Sequence, residues 1–542
     1  MRMSRLATAG GVTALAVAVT ACGGGATSSG AGGATSGSSG GAASGSTGAG
    51  PSGTLVVETS FVLKTVDPAR MFEPTGLMID HQLYDTLLTY KGSDVSKPVP
   101  DLATSFTASA DAKTYTFTLR KGVTFANGDP VTASDVVYSL TRTKNIQGNP
   151  SFLMAGVTAT APNASTVVLT SQTPNTAIPA IVTNPALGIV DAKVVAADGG
   201  DDSAKAATAD KAEAKLNAAS AGSGPYTLTS FSTTSEVDLT ANPKYWGPKP
   251  KYAKIVIRNV AASVQKLDVL RGESQIAVDL SPTQAQGMSG VQIVNGASPN
   301  LFFVLSNDNP KISAITSNPK FQEAVRDGID YAALVQLAGK GAEQAAGVIP
   351  SNFLGALPAS QAPVYDLAKA KAALAASGLG HPTVTMVYPS DLSVNGISFG
   401  DLAARVQQQL AQVGITVKLQ GQSIQVALDS YRGGKEEMGL WYWGPDFPDP
   451  SDYLNFLPGA LVGLRAGWAK GADSALEALG TKAASTTQDS ARAALYQQIQ
   501  QSMNTASPFM PLIQPAQIVV GASSLKNLQS NALWLVDLNE LG

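Results

Sequence analysis

Thr114-Tyr115-Thr116-Phe117-Thr118-Leu119-Arg120-Lys121-Gly122-Val123-Thr124-Phe125-Ala126-Asn127-Gly128-Asp129-Pro130 is followed at once by Val131-Thr132-Ala133-Ser134-Asp135-Val136-Val137. Residues 114–120 alternate polar and apolar, the period of a strand with one packed and one wet face. Lys121-Gly122 and Asn127-Gly128-Asp129-Pro130 are turn chemistry. Thr132 then opens a helix. Its hydroxyl can cap the first turn, and Asp135, three residues on, can return the bond and face the positive helix end. Val136, Val137 and Leu140 give that helix an apolar side.

Outward from this stretch the same alternation of periods continues. Thr54–Glu58 reads as a buried strand, leading into a loop with Asp67-Pro68 and Glu73-Pro74. Thr75 to Tyr90 has helical spacing, with Leu77, His81, Tyr84, Leu87 and Leu88 on one side. Ala253–Asn259 alternates as a strand, and Leu301–Leu305 is a short buried one. Leu402, Val406, Leu410 and Val413 mark an amphipathic helix that Gly414 stops, before the strand Ile415–Leu419. Strand, helix, strand in this order means an α/β domain. Asp191–Ser220, rich in Ala, Asp and Lys, reads as surface helix and loop.

The chain has 542 residues, 44% hydrophobic and 14% charged. Single cores stop growing at about 250–300 residues, so at least two domains are expected. Net charge is −3 without a basic run, which excludes nucleic acid as a partner class. The only cysteine is Cys22 and the only histidines are His81 and His381. That count leaves no disulfide, no HExxH site and no buried catalytic thiol. No metal or other cofactor is expected.

Arg2 and Arg5 precede an uncharged run from Leu6 to Ala21, the layout of an export signal over residues 1–21. Val19-Thr20-Ala21-Cys22 resembles the bacterial lipobox, which implies cleavage before Cys22 and lipid on its sulfur. The 31 residues after Cys22, through Gly53, contain only Gly, Ala, Ser, Thr and Pro. As a flexible tether they would span roughly 30 Å.

Trp441-Tyr442-Trp443-Gly444-Pro445-Asp446-Phe447-Pro448-Asp449-Pro450 concentrates two of the chain's five tryptophans with three prolines and two acids. The reading is a rigid loop whose aromatic faces and carboxylates line a ligand site, or else a packed aromatic corner with Asp-capped turns.

Asp101-Leu102-Ala103-Thr104-Ser105-Phe106, Leu119 to Gly128 and Ala133-Ser134-Asp135-Val136-Val137 resemble the signature of family 5 solute-binding proteins, the dipeptide/oligopeptide/nickel-type receptors of ABC importers. Gly222-Ser223-Gly224-Pro225-Tyr226, Asn242-Pro243-Lys244-Tyr245-Trp246-Gly247 and Tyr365-Asp366-Leu367-Ala368-Lys369-Ala370 match further blocks in order. Phe321 to Tyr331 matches another, with Asp327-Gly328 where the family has small or aromatic residues.

The resemblance implies an α/β, two-lobe periplasmic-binding-protein-like (Venus flytrap) fold with an extra domain inserted in the first lobe. The lobes are expected at 54–89, 199–300 and 508–542 for the first and 301–507 for the second, with the insertion at 90–198. It implies no enzyme but a monomeric receptor that takes up a solute, most concretely a peptide, and hands it to a membrane permease driven by ATPases. Trp443-Gly444-Pro445-Asp446 matches the family's Trp-x-x-Asp motif. Asp446 is then the partner of a ligand ammonium and Trp443 a stacking wall, with Trp441 and Tyr442 beside them. Leu440 stands where some peptide binders have Arg; Arg432 or Arg465 are the candidate substitutes. Glu58, Thr59 and Phe61 end the first strand, where open α/β sheets bind ligands. Ser281, Asn307 and Gln514 occupy cleft-facing positions of the family. The alternatives are a sugar or other non-peptide solute, a sensing role, and a glycoside hydrolase using Asp446 and Asp449.

Overall fold

The structure, a computed structural model, describes residues 52–542. The expected export signal, Cys22 and nearly all of the tether lie outside those residues.

Thr54–Thr59 is the middle strand of a seven-stranded sheet. It runs parallel to Lys254–Asn259, with Thr54 opposite Lys254, and parallel to Ile276–Ala277. Helix Ala262–Arg271 makes the crossover between those two neighbours and ends on Gly272 in the left-handed region, φ 77°. Outward on one side lie Glu236–Ala241 and Tyr226–Phe231, and on the other Ala516–Ala522 and Val291–Ala297. Leu55 and Val57 face one core with Ile79, Leu239, Ile255 and Val519.

The opening stretch forms what its periods predict. Thr114–Leu119 is the second strand of a four-stranded antiparallel sheet with Ala103–Ala108, Thr166–Ser171 and Val157–Asn163. Helix Ala133–Ile146 follows, and the Asp135 carboxylate accepts both the Thr132 N–H at 2.9 Å and its hydroxyl at 2.6 Å. Arg142 on this helix is fully buried and donates to both oxygens of Asp67 and to Asp210 at 2.6–3.0 Å. A buried charge is tolerable only when paired in this way. Asp210 lies in the stretch expected as surface helix and loop. That stretch does form short helices, at 192–197, 206–209 and 213–216, but Asp210 itself is buried because Arg142 and Arg70 reach it.

The second large sheet has six strands, in the order Glu343–Gln344, Phe509–Gln514, Leu301–Ser306, Met438–Trp443, Thr383–Pro389, Thr416–Gln422. Every residue of Leu301–Ser306 is buried, which is why it reads as a continuous apolar run. Phe302 and Val304 face one core, with Phe321, Leu402, Val406 and Leu410, while Phe303 and Leu305 face another, with Trp441, Phe456 and Phe509. Helix Phe399–Val413 carries the expected apolar face and stops at Gly414, φ 107°.

The chain passes between the two sheets through Ser298–Asn300 and again at Pro515. The passages are bonded side by side: Ser298 N–H donates to the Pro515 carbonyl at 3.2 Å, and Gln514 Nε2 donates to the Ser298 carbonyl at 2.7 Å. The segment 508–542 therefore contributes Phe509–Gln514 to the second sheet and Ala516–Ala522 to the first.

Two expectations are corrected. The helix expected over Thr75–Tyr90 ends at Leu83, and Leu88–Lys91 is a strand. Tyr84 is already extended, and the Asp101 carboxylate captures the Thr86 N–H at 2.9 Å, turning the chain into a hairpin. The run Trp441–Pro450 is also not one loop. Its first three residues complete the strand Met438–Trp443.

Candidate functional site

The strand period decides what the aromatic run can do. Successive side chains of Met438–Trp443 point to opposite faces. Leu440 and Tyr442 go to the face of Phe302 and Phe399, and Trp441 and Trp443 to the face of Phe456. Trp441 is core: 2% exposed, stacked on Tyr431 at 4.4 Å, its indole N–H donated to Glu436 at 2.8 Å. Tyr442 is half-buried against Phe399. Leu440 is fully buried opposite Val304, packed on the face of Phe302. Only Trp443, half-buried at the strand end, adjoins the loop that carries Asp446.

That loop is held from beneath by the helical turn Pro450–Phe456. Asp449 caps the turn by accepting the Ser451 N–H at 2.9 Å, and it also pairs with buried Arg492 at 2.5 Å. It is thereby spent on structure, which removes the Asp446/Asp449 acid pair of a hydrolase. Asp446 is half-buried. Among the described residues its carboxylate has no ion-pair partner, and burial alone pushes it above the usual carboxylate range. Asp452 stands on the turn itself, beyond the aromatic run. It is 3% exposed, accepts the Trp443 indole N–H at 2.7 Å, and is pushed up to about 8 by burial and by Asp446. The hydroxyl of Tyr453, buried next to both acids, has no partner. Nothing in the run of residue types distinguishes Asp452 from a cap; only its position below Trp443 does.

The first-sheet candidates stand at the end of Thr54–Thr59. Glu58 and Thr59 are buried, and Phe61 is half-buried with its N–H on Asn259. Glu58 lies toward helix Ala262–Arg271, where burial and Asp268 push its carboxyl up to about 7. Ser281 caps the turn Pro282–Ala285 through Gln284 and abuts Gly396 of the second half of the molecule. Asn307 is fully buried, its amide donated to the Gly434 and Glu436 carbonyls. Gln514 is buried where the two passages between the sheets meet, accepting from the Ser351 N–H and donating to the Ser298 carbonyl. Arg465 lies over the Tyr431 ring at 4.8 Å, and Arg432 is exposed on helix Ile424–Arg432. Trp443 and Asp446 are thus the pair that the fold places together, with Asp452 and Tyr453 added. Across from the loop, Phe106 and Tyr115 of the four-stranded sheet share a cavity of about 130 Å³ with Pro448, Asp449 and Arg492.

Residues 97–460 match the sequence profile of the bacterial extracellular solute-binding proteins, family 5. The chain is 28% identical over 472 residues to the probable D,D-dipeptide-binding periplasmic protein DdpA of Escherichia coli K12, covering 85% of this chain and 88% of that protein. It is 27% identical over 509 residues to Di/tripeptide-binding protein 2 of Pseudomonas aeruginosa, covering 85% and 90%. HbpA2 from Haemophilus parasuis superposes with a TM-score of 0.78 at 21% identity, over 90% of this chain and 99% of that one, a likeness of fold. With that fold and a profile match over more than half of its length, the chain belongs to family 5 of the bacterial extracellular solute-binding proteins.

Proposed function

We propose that this protein captures a short peptide between its two lobes, with Asp446 as partner of the peptide's ammonium and Trp443 as the wall against which the first residue packs. The observation that carries this reading is the half-buried Asp446 carboxylate, which has no counter-ion among the described residues. A desolvated charge of this kind is costly alone and favourable once a ligand cation pairs with it. The names of the two curated relatives, a D,D-dipeptide and a di/tripeptide binder, point to the same solute class. Closure on the ligand would use the paired passages at Ser298 and Pro515 as hinge and present a closed form to an ABC permease. The remaining candidates would serve around this centre: Glu58, Thr59 and Phe61 from the first lobe, Ser281 at the lobe contact, Gln514 and Asn307 by fixing the hinge and the second lobe. Lipid on Cys22 and the tether would keep the receptor beside its permease.

A thermal-shift screen tests the reading. Peptides with a free amino terminus should raise the melting temperature, because a ligand that binds only the folded state stabilises it. The same peptides N-acetylated should not. Stabilisation by oligosaccharides with silence from every peptide would sink the peptide assignment.

A further inference from the structure

Asp452 is a buried acid beside half-buried Asp446, and its geometry gives it a task. One oxygen accepts the Trp443 indole N–H at 2.7 Å. The Trp443 ring also meets Phe456 edge-on, with centroids 5.6 Å apart, and Phe456 stacks on Tyr453. The edge contact stops the indole from sliding, and the hydrogen bond fixes which way it faces. The charged groups around Asp452 are Asp446 and Asp449 from the loop, with Asp449 already neutralised by Arg492 of helix Asp489–Ala506. On its own turn are the Asn455 amide, which donates to the Asp452 carbonyl at 2.8 Å, and the partnerless Tyr453 hydroxyl, 2% exposed and next to both acids. Among the described residues no cation offsets the pair, and two such carboxyls do not both ionise cheaply.

We propose that Asp452 is the positioning residue of this site: it holds the Trp443 indole and shares one negative charge with Asp446, so that a cationic solute is captured with loss of the pair's proton. This rests on Asp446 as the ammonium partner. In the empty site at neutral pH the proton stays on Asp452, whose carboxyl is pushed up to about 8. The indole bond survives, because a protonated carboxyl still accepts through its carbonyl oxygen. An incoming ammonium favours the second charge, the proton passes to solvent, and the new carboxylate accepts the indole N–H in a charge-assisted bond. The ligand thus stiffens the wall that holds it. Affinity for a cation that keeps its charge should rise with pH up to about 8, by at most about tenfold per pH unit, and level off above; a peptide ammonium loses its own proton at about pH 8, so its affinity falls beyond that.

The test uses the full chain with ¹⁵N-labelled tryptophan. One indole resonance, identified by its loss in Trp443→Phe, should move downfield with a midpoint near pH 8. It should stay still in Asp452→Asn, and its midpoint should fall in Asp446→Asn. A Trp443 resonance that is flat from pH 5.5 to 9.5, or that still titrates in Asp452→Asn, overturns the proposal. Calorimetry with trialanine in two buffers of different ionisation heat then counts protons at pH 7. Wild type should release up to one per peptide and Asp452→Asn none; equal release by both overturns the charge sharing. No trialanine binding with the indole titration intact would overturn the ammonium reading and the linked proton loss, leaving only Asp452's hold on Trp443.

Discussion

Glu436 is a buried carboxyl away from the loop, 2% exposed, with one oxygen on the Trp441 indole and the other without a partner. Burial pushes it up to about 8 from an ordinary 4.5. In the unfolded chain it ionises near its ordinary value, so between about pH 4.5 and 8 the unfolded state binds fewer protons than the folded one. Its favourable contribution is therefore complete below 4.5 and is lost as pH rises through 8. Melting temperature should fall from pH 5.5 to 8.5, and Glu436→Gln should flatten that fall while keeping an acceptor for Trp441. An equal fall in the variant would remove Glu436 as its cause. At this scale the sequence was partly legible. Trp443 and Asp446 were recognisable because their types and spacing carry the chemistry. Asp452, Glu436 and the Arg142–Asp67–Asp210 network were not: the indole partners of the two acids are local, but their burial comes from elements that the fold packs over them, and Asp67 and Asp210 lie 75 and 68 residues from Arg142.

Elements were legible where one period held over several residues. Thr114–Leu119, the Asp135 cap and the Gly414 stop formed as their residues dictate. The Trp441–Pro450 run was misjudged as one loop because its prolines begin only at Pro445, and the three aromatics before them suit a strand. Strand alternation then divides Tyr442 from Trp443, so a compact cluster in sequence becomes two walls in space. Gly328 is a second case. It departs from the family pattern because helix Pro319–Gly328 crosses helix Phe399–Val413 at this residue, where an added Cβ would lie 2.5 Å from Val413 and 3.5 Å from Leu410. Gly328→Leu should cost about 1–3 kcal/mol through overpacking, read as a lower urea midpoint. An unchanged midpoint would show that the two helices can part without loss.

For the whole molecule, strand–helix–strand order means an α/β domain, while two lobes with an insertion in the first are what the family resemblance of the signature blocks implies. The exact place of the second passage was less visible, since Phe509–Gln514 and Ala516–Ala522 are both buried runs and an apolar strand reads alike in either sheet. On the proposed reading, the architecture sets the Asp446 carboxylate beside Trp443, near the two hydrogen-bonded passages between the sheets that would serve as the hinge. Calorimetric titration of wild type and Asp446→Ala with a di- or tripeptide that stabilises the wild type tests this most directly. Loss of the ligand's ionic partner should weaken binding by about 2–5 kcal/mol; equal affinity in the two proteins would contradict it and move the binding centre away from Asp446.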